Sequence, residues 1–301
     1  MLRHMNAGMA TLRLLITAAR PQEWVKNVFV FSALLFSKNV LNPTLLLQVV
    51  LAFGLYCLSA GGVYFINDIL DRGEDKYHPQ KSTRPIASGA LSVALAASVA
   101  VCMFVAAISG ALFLSLPFGL ITGCYILLNL AYSKWLKHVV ILDVFAIASG
   151  FVLRVVAGAV VINVTISDWL LICTLLLALF LGFSKRRYEL VTLEQDASRH
   201  RPVLTEYNPL FLDMMIGIVT ASTVMGYTLY TISPETVQKF GTDRLVLTVP
   251  FALYGIFRYL YLVYHQHSGG NPAHALLTDG PLLLNVILWV ITSGLIIHMA
   301  S

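Results

Sequence analysis

Residues 43–75 read PTLLLQVVLAFGLYCLSAGGVYFINDILDRGED. From Pro43 to Ile66 the run carries no charge. A helix needs about 20 such residues to cross the core of a bilayer. The run then delivers Asp68, Asp71, Glu74 and Asp75, four of the fifteen acids in the chain. One stretch therefore holds both a membrane span and a dense acidic group at its mouth.

The rest of the chain follows the same apolar plan. It has 301 residues, 58% of them hydrophobic and 12% charged, where a soluble domain has roughly 45–50% and 25%. The mean hydropathy is +0.79. Too few charges remain to cover a water-soluble surface, and the hydrophobicity is far too high for a disordered chain. The apolar runs are unbroken, which excludes an outer-membrane barrel with its period of two. The expected fold class is all-α: a polytopic membrane protein of about nine transmembrane helices. The segments are 24–40, 43–66, 91–114, 117–134, 139–162, 168–187, 208–232, 246–265 and 281–300. No linker divides them, so residues 1–301 are expected to form one domain. In residues 1–23, Arg13 and Arg20 interrupt the apolar stretch. This segment reads as an amphipathic helix at the membrane surface rather than a signal peptide.

Charge sets the orientation. The net charge is +5, and membrane proteins gather Lys and Arg on the cytoplasmic side. With the N-terminus in the cytoplasm, fifteen basic residues fall on that side and three, Lys38, Lys239 and Arg244, on the other. This places the C-terminus outside and fits the inner (plasma) membrane. No nucleic-acid motif accompanies the positive charge. Cys57, Cys102, Cys124 and Cys173 lie inside apolar runs without metal-ligand spacing. His265, His267 and His274 likewise lack a ligand pattern.

The acids carry the chemistry. Asp68, Asp71 and Asp75 are spaced i, i+3, i+7 and share a helix face. Like charges so placed repel, and a divalent cation among them relieves the repulsion. Magnesium takes oxygen ligands and is commonly shared with substrate phosphates. Two prolines, Pro79 and Pro85, then stop the helix, and Lys81 and Arg84 follow as cations suited to phosphate oxygens. A solvated acidic helix end is the plainer alternative, but it runs against the charge bias of a cytoplasmic span end.

The pattern NDxxDxxxD over 67–75 followed by HPxKxxRPIASG over 78–89 resembles the first signature of the UbiA superfamily of intramembrane prenyltransferases. The similarity extends to the nine-helix plan and so covers the whole chain. It implies that Asn67, Asp68, Asp71 and Asp75 hold Mg2+ on a substrate diphosphate, with Lys81 and Arg84 beside them. Residues 67–90 and 184–207 become the two cytoplasmic active-site loops.

In the second loop the resemblance breaks. Ordinary members carry a second aspartate-rich motif there. This chain has Ser184-Lys185-Arg186-Arg187-Tyr188-Glu189, then Arg199-His200-Arg201, and no DxxxD spacing among Glu189, Glu194, Asp196 and Glu206. Cations in place of carboxylates suit a bare phosphate better than a metal-bound diphosphate. The plainer alternative is cytoplasmic positive excess, or an i,i+4 ion pair between Lys185 and Glu189.

That departure resembles one branch of the superfamily, the decaprenyl-phosphate phosphoribosyltransferases. The segments 20–27, 131–137, 150–158, 185–189, 254–259 and 279–283 carry the likeness in order. The resemblance implies transfer from 5-phosphoribosyl 1-diphosphate to a polyprenyl phosphate drawn from the bilayer. Lys26, Tyr132, Lys134, Lys185, Arg186, Arg187, Tyr188 and Glu189 are then candidates for binding substrate. An anionic phosphate acceptor needs no strong general base, which agrees with the lack of an obvious catalytic histidine.

Arg154 and Arg258 fall within spans. An intramembrane arginine faces the bundle interior and is a functional candidate by default; Arg154 is counted with the substrate-binding residues, beside the alternative of a structural partner. Asp143 shares its helix face about 16 Å away, too far to pair. The competing functions are a prenyltransferase acting on an aromatic acceptor, for which the second acidic motif is missing, and a transporter with a cation-binding acidic cluster, which predicts broken helices and paired mid-membrane ionisable residues, whereas the acids here sit at the surface. The DGxxAR signature of a CDP-alcohol phosphotransferase is also absent.

Overall fold

The computed structural model describes residues 2–37, 41–77, 81–193, 202–265 and 272–300. Among them there are helices and no strands. Eight helices are long and apolar enough to cross a membrane, in line with an all-α polytopic fold and close to the expected nine.

Local signals explain where the helices begin. Asn42 caps α3 (Pro43–Leu70), its Oδ1 accepting the Thr44 and Leu45 N–H groups at 3.1 and 3.2 Å. Proline at the start of the helix needs no donor partner there. Ser92 caps α5 (Val93–Leu114) and Ser115 caps α6 (Leu116–Lys134) in the same way. Asn208 caps α9 (Pro209–Ile232), Ser233 the short α10 (Pro234–Phe240), and Asp279 α13 (Gly280–Met299). Each cap satisfies donors that lipid cannot.

The contacts group the chain into two compact units, Met1–Ile166 and Ser167–Ser301. The first holds α1 (Leu2–Ala19), a 3-10 helix (Pro21–Phe31), α2 (Ser32–Phe36), α3, the one-turn α4 (Arg72–Asp75), α5, α6 and α7 (Leu142–Val161). Val30, Tyr56, Phe118, Tyr125 and Ala157 form its central core. Ala18, Phe65, Ile86 and Ala100 form a second cluster under α1. The second unit holds α8 (Asp168–Leu193), α9, α10, α11 (Val249–His265), α12 (Pro272–Thr278) and α13. There Phe180 meets Tyr259 edge-on at 5.6 Å. The Trp289 indole donates to the Tyr227 hydroxyl at 2.7 Å.

The segment expected to span 24–40 is built differently from the other eight. It is a 3-10 helix followed by five α-helical residues. At about 2 Å of rise per residue the 3-10 stretch covers more distance than an α-helix of equal length. The pair reaches roughly 30 Å, the thickness of a hydrocarbon core, in fewer residues. Polar Asn27 lies fully buried on it, which is why its sequence looks weak as a span.

The 3-10 segment also packs unusually close to α7. A Cβ added at Gly158 would stand 1.9 Å from the Val30 carbonyl oxygen. Backbone cannot give way as a side-chain tip can. Gly158→Ala is therefore expected to lower stability by about 1–3 kcal/mol, the usual cost of overpacking, despite alanine's better helix propensity. Thermal unfolding in detergent checks this against Gly54→Ala, whose added Cβ meets nothing within 4 Å and which should unfold no earlier than the parent.

Candidate active site

The acidic group forms where α3 ends. Asn67 and Asp68 lie in its last turn, Asp71 caps it, and Asp75 closes α4. The Asp75 N–H donates to the Asp71 carbonyl at 2.8 Å, which keeps the helical sense through the cap. Asp68 and Asp75 are buried at 1% and 3% exposure. Carboxylates so buried need partners.

Cations supply them. Arg84 Nη1 donates to Asp68 Oδ1 at 3.2 Å and to Asp75 Oδ2 at 2.6 Å. Arg20 donates to the same Asp68 oxygen. Lys137 pairs with Asp71, and Lys81 approaches Asp75 at 3.9 Å. Asn67 Nδ2 donates to Asp71 Oδ2 at 3.0 Å. The second Asp68 oxygen, Oδ2, is buried without a partner. Sequence reading anticipated Asn67, the three aspartates, Lys81 and Arg84. It missed Arg20 and Lys137, which come from distant loops.

Backbone conformation marks both of those loops. Arg20 has φ 51° and ψ 64°, in the left-handed region directly before Pro21, and Ile141 has φ 69°. Such placements cost about 1–3 kcal/mol each and persist only where surroundings hold them. At Arg20 the hold is visible: the guanidinium reaches Asp68 and lies 5.0 Å over the Tyr64 ring.

As for a metal, among the described residues no three His, Cys, Asp or Glu groups converge into a ready cage. Arg84 stands between Asp68 and Asp75 instead. The donor set nonetheless fits magnesium: carboxylate and carboxamide oxygens only, with the unpartnered, buried Asp68 Oδ2 an available ligand atom.

Other expected residues have separate partners. Lys26 pairs with Glu23. Lys134 is exposed, its ammonium 4.7 Å over the Trp135 ring, and Tyr132 is half-buried on the same helix. Arg154 is buried within α7. It donates from Nε to Asn27 Oδ1 at 2.8 Å, from Nη1 to the Gly150 carbonyl at 2.9 Å and from Nη2 to the Tyr125 hydroxyl at 2.7 Å. Asn27 in turn donates to Cys57 Sγ at 3.4 Å. Those partners are neutral, so this arginine ties three elements of the first unit together. Asn27 and Tyr125 were not among the expected site residues, because the arginine they bind lies 127 and 29 residues away in the chain.

In the second unit the basic stretch lies on the last turns of α8, which runs on to Leu193. Arg186 is 1% exposed and donates to Glu189 at 2.7 Å. Lys185 approaches Glu189 at 3.8 Å, and Tyr188 is half-buried. Arg187 turns to another side: its Nε donates to Asp213 at 2.9 Å and its guanidinium lies 3.9 Å over the Tyr264 ring. The Tyr264 hydroxyl donates to the same Asp213 oxygen at 2.6 Å. These groups head an apolar groove of about 740 Å³ between α9 and α11, lined by Gly217, Ala221, Phe257 and Tyr261 among others. Glu194, Asp196, Arg199, His200 and Arg201 lie outside the described residues, as do His78, Pro79, Gln80, Lys38 and His267.

With this geometry in hand, comparison with known proteins decides the family. The model of the UbiA prenyltransferase family matches residues 27–296. The chain belongs to the UbiA prenyltransferase family. It is an enzyme, a multi-pass membrane transferase. It is 32% identical to the decaprenyl-phosphate phosphoribosyltransferase of Corynebacterium glutamicum, over 92% of this chain and 84% of that one. It is 30% identical to the protein of the same description from Mycolicibacterium smegmatis, over 95% and 93%. Its fold is similar to a UbiA homolog from Archaeoglobus fulgidus solved bound to GPP and Mg2+, with a TM-score of 0.71 at 17% identity, covering 95% of this chain and 99% of that one.

Arg258, a site candidate by its depth in a span, has a structural partner. Its Nε and Nη2 donate to the two oxygens of Asp279 at 3.1 and 2.8 Å, while Asp279 Oδ1 accepts the Leu282 N–H at 2.9 Å. The hydrogen bonds from Arg258 hold the Asp279 carboxyl below its ordinary 3.8, the cap bond adding to them and partial desolvation opposing. A depressed carboxyl stabilises the fold above the unfolded pKa and loses that contribution as pH falls through the folded value. The gap in melting temperature between wild type and Asp279→Asn should therefore be full above pH 3.8 and close below it. A series of thermal melts from neutral pH downward measures this.

Proposed function

We propose that this transferase moves the 5-phosphoribosyl group from 5-phosphoribosyl 1-diphosphate to the phosphate of a polyprenyl phosphate of decaprenyl-like length, releasing diphosphate. The observation that carries the reading is the basic end of α8, Lys185-Arg186-Arg187, in the place where ordinary family members keep a second acidic motif. The names of the relatives at about 30% identity support it.

The donor's diphosphate sits at Asn67, Asp68, Asp71 and Asp75, which would hold Mg2+. Bound there, the metal neutralises negative charge on the departing diphosphate. Lys81 and Arg84 bind diphosphate oxygens. The bond between C1 of the ribosyl group and the diphosphate oxygen breaks, its electron pair leaving with the diphosphate. A phosphate oxygen of the acceptor supplies the electron pair for the new bond to C1. That oxygen is already anionic near neutral pH, so no protein base removes a proton. Lys185, Arg186 and Arg187 hold anionic phosphate, Arg by its fork and Lys as a point charge. Lys26, Tyr132, Lys134, Tyr188 and Glu189 complete the binding set, and Arg154 fixes the walls behind it. An apolar groove open to lipid takes the isoprenoid tail, and the one between α9 and α11 is suited to it.

The loops 67–90 and 184–207 face the cytoplasm, as does the surface segment 1–23, with the C-terminus on the other side of the inner membrane. The whole of 1–301 acts as one transmembrane domain.

The test is transfer from labelled phosphoribosyl diphosphate to a polyprenyl phosphate by purified protein in detergent. Labelled lipid that disappears with EDTA is the expected result. Activity with a prenyl diphosphate and an aromatic acceptor instead would overturn the reading. Asp68→Ala or Asp71→Ala should all but abolish turnover with the protein still inserted, a loss of about 10²–10³-fold for electrostatic machinery of this kind. Lys185→Ala should raise the concentration of phosphate substrate needed while leaving the magnesium requirement unchanged.

A further inference from the structure

The aspartates at the end of α3 are already matched by cations. Three carboxylates, Asp68, Asp71 and Asp75, meet four basic groups, Arg20, Arg84, Lys81 and Lys137. A dication arriving alone would meet carboxylates already matched by cations, where Coulomb repulsion is poorly screened. A dication arriving with a diphosphate would bring its own negative charge. Yet a ligand atom is in place, because Asp68 is 1% exposed and its Oδ2 has no partner. Arg84 Nη1 lies between Asp68 Oδ1 at 3.2 Å and Asp75 Oδ2 at 2.6 Å, so one guanidinium neutralises two carboxylates that would otherwise be open to a metal. Arg20 is drawn to Asp68 from a left-handed backbone that directs its side chain back onto α3.

We infer that Arg20 and Arg84 are exchangeable counterions. Without ligand they neutralise Asp68 and Asp75. When magnesium and diphosphate enter, they yield those oxygens to the metal and take oxygens of the diphosphate. Metal and diphosphate consequently bind together and each binds poorly alone. Arg20 thereby joins the diphosphate-binding residues, contributed by the segment that precedes the first span. This rests on the proposed function only in placing a diphosphate at these aspartates, and it is indifferent to the group transferred and to the acceptor.

Calorimetric titration of the full chain in detergent tests it, with Mg2+ alone, inorganic pyrophosphate alone, and each in the presence of the other. In the wild type each ligand should raise the affinity of the other by about tenfold or more. Arg84→Gln and Arg20→Gly should bind Mg2+ alone about tenfold more tightly, and pyrophosphate with Mg2+ about tenfold more weakly. Glycine at position 20 accepts the positive φ, so that variant removes the guanidinium without disturbing the backbone. Equal Mg2+ affinity of the wild type with and without pyrophosphate would overturn the inference, and this titration needs no variant. Weaker binding of Mg2+ alone by Arg84→Gln would overturn it as well. Intact coupling in a protein that fails to transfer a ribosyl group would leave it standing and sink only the transfer reaction.

Discussion

Two buried carboxylates at the mouth of a membrane helix set the terms for the first unit. Asp68 and Asp75 cannot stay charged in so little solvent without partners. The partner that joins them, Arg84, comes from the loop beyond α4, and Arg20 comes from the far end of α1. Satisfying two acids therefore pins the loop that follows the span and the segment that precedes the first one. The αL backbone of Arg20 is a cost of that arrangement, held in place by the Asp68 contact and the Tyr64 ring. Ion pairs of this kind hold the loops without closing the space around the carboxylates, as apolar packing would.

A second polar network acts at greater depth. Arg154 binds Asn27, Tyr125 and the Gly150 carbonyl, so α7, the 3-10 segment and α6 share one guanidinium. In lipid, apolar packing gives little preference for one helix neighbour over another, and interhelical hydrogen bonds with small residues set the register. Gly158 against the Val30 carbonyl does the second part of that work. The buried charge is thereby turned to architecture, and the 3-10 segment gains the fixed position that its weak hydrophobicity could not provide.

The spans were legible because hydropathy is a local property read over about 20 residues. Most of the eight helices begin and end within three residues of the expected bounds, as α5 does at 93–114 against 91–114, while α3 and α8 run on to 70 and 193 past the expected 66 and 187. The segment expected as a ninth span is not among the eight long apolar helices: its described part is a 3-10 helix followed by five α-helical residues, a geometry that no local pattern announces. In the site, the i, i+3, i+7 aspartates could be read because they lie in one stretch. Arg20 and Lys137 could not, because their partners lie 48 and 66 residues away. Lys137 pairs with Asp71 across that distance. The faces of α8 were also hidden: Arg186 and Arg187 are neighbours in sequence, yet a 100° step between successive helical residues sends one to Glu189 and the other to Asp213 and Tyr264.

That step bears on the chemistry. A run of three basic residues need not act as one patch. On a helix, Lys185 and Arg186 both reach Glu189, so a single carboxylate moderates two of the three cations. Arg187 is moderated separately by Asp213 and is stacked on an aromatic ring at the head of an apolar groove. Both basic positions are thus partly neutralised rather than bare. In the first unit the balance is reversed in detail but alike in kind, with carboxylates held by cations. Such partners weaken the pull of either cluster on a charged ligand, since a bare cluster would bind one so firmly that its release would be slow.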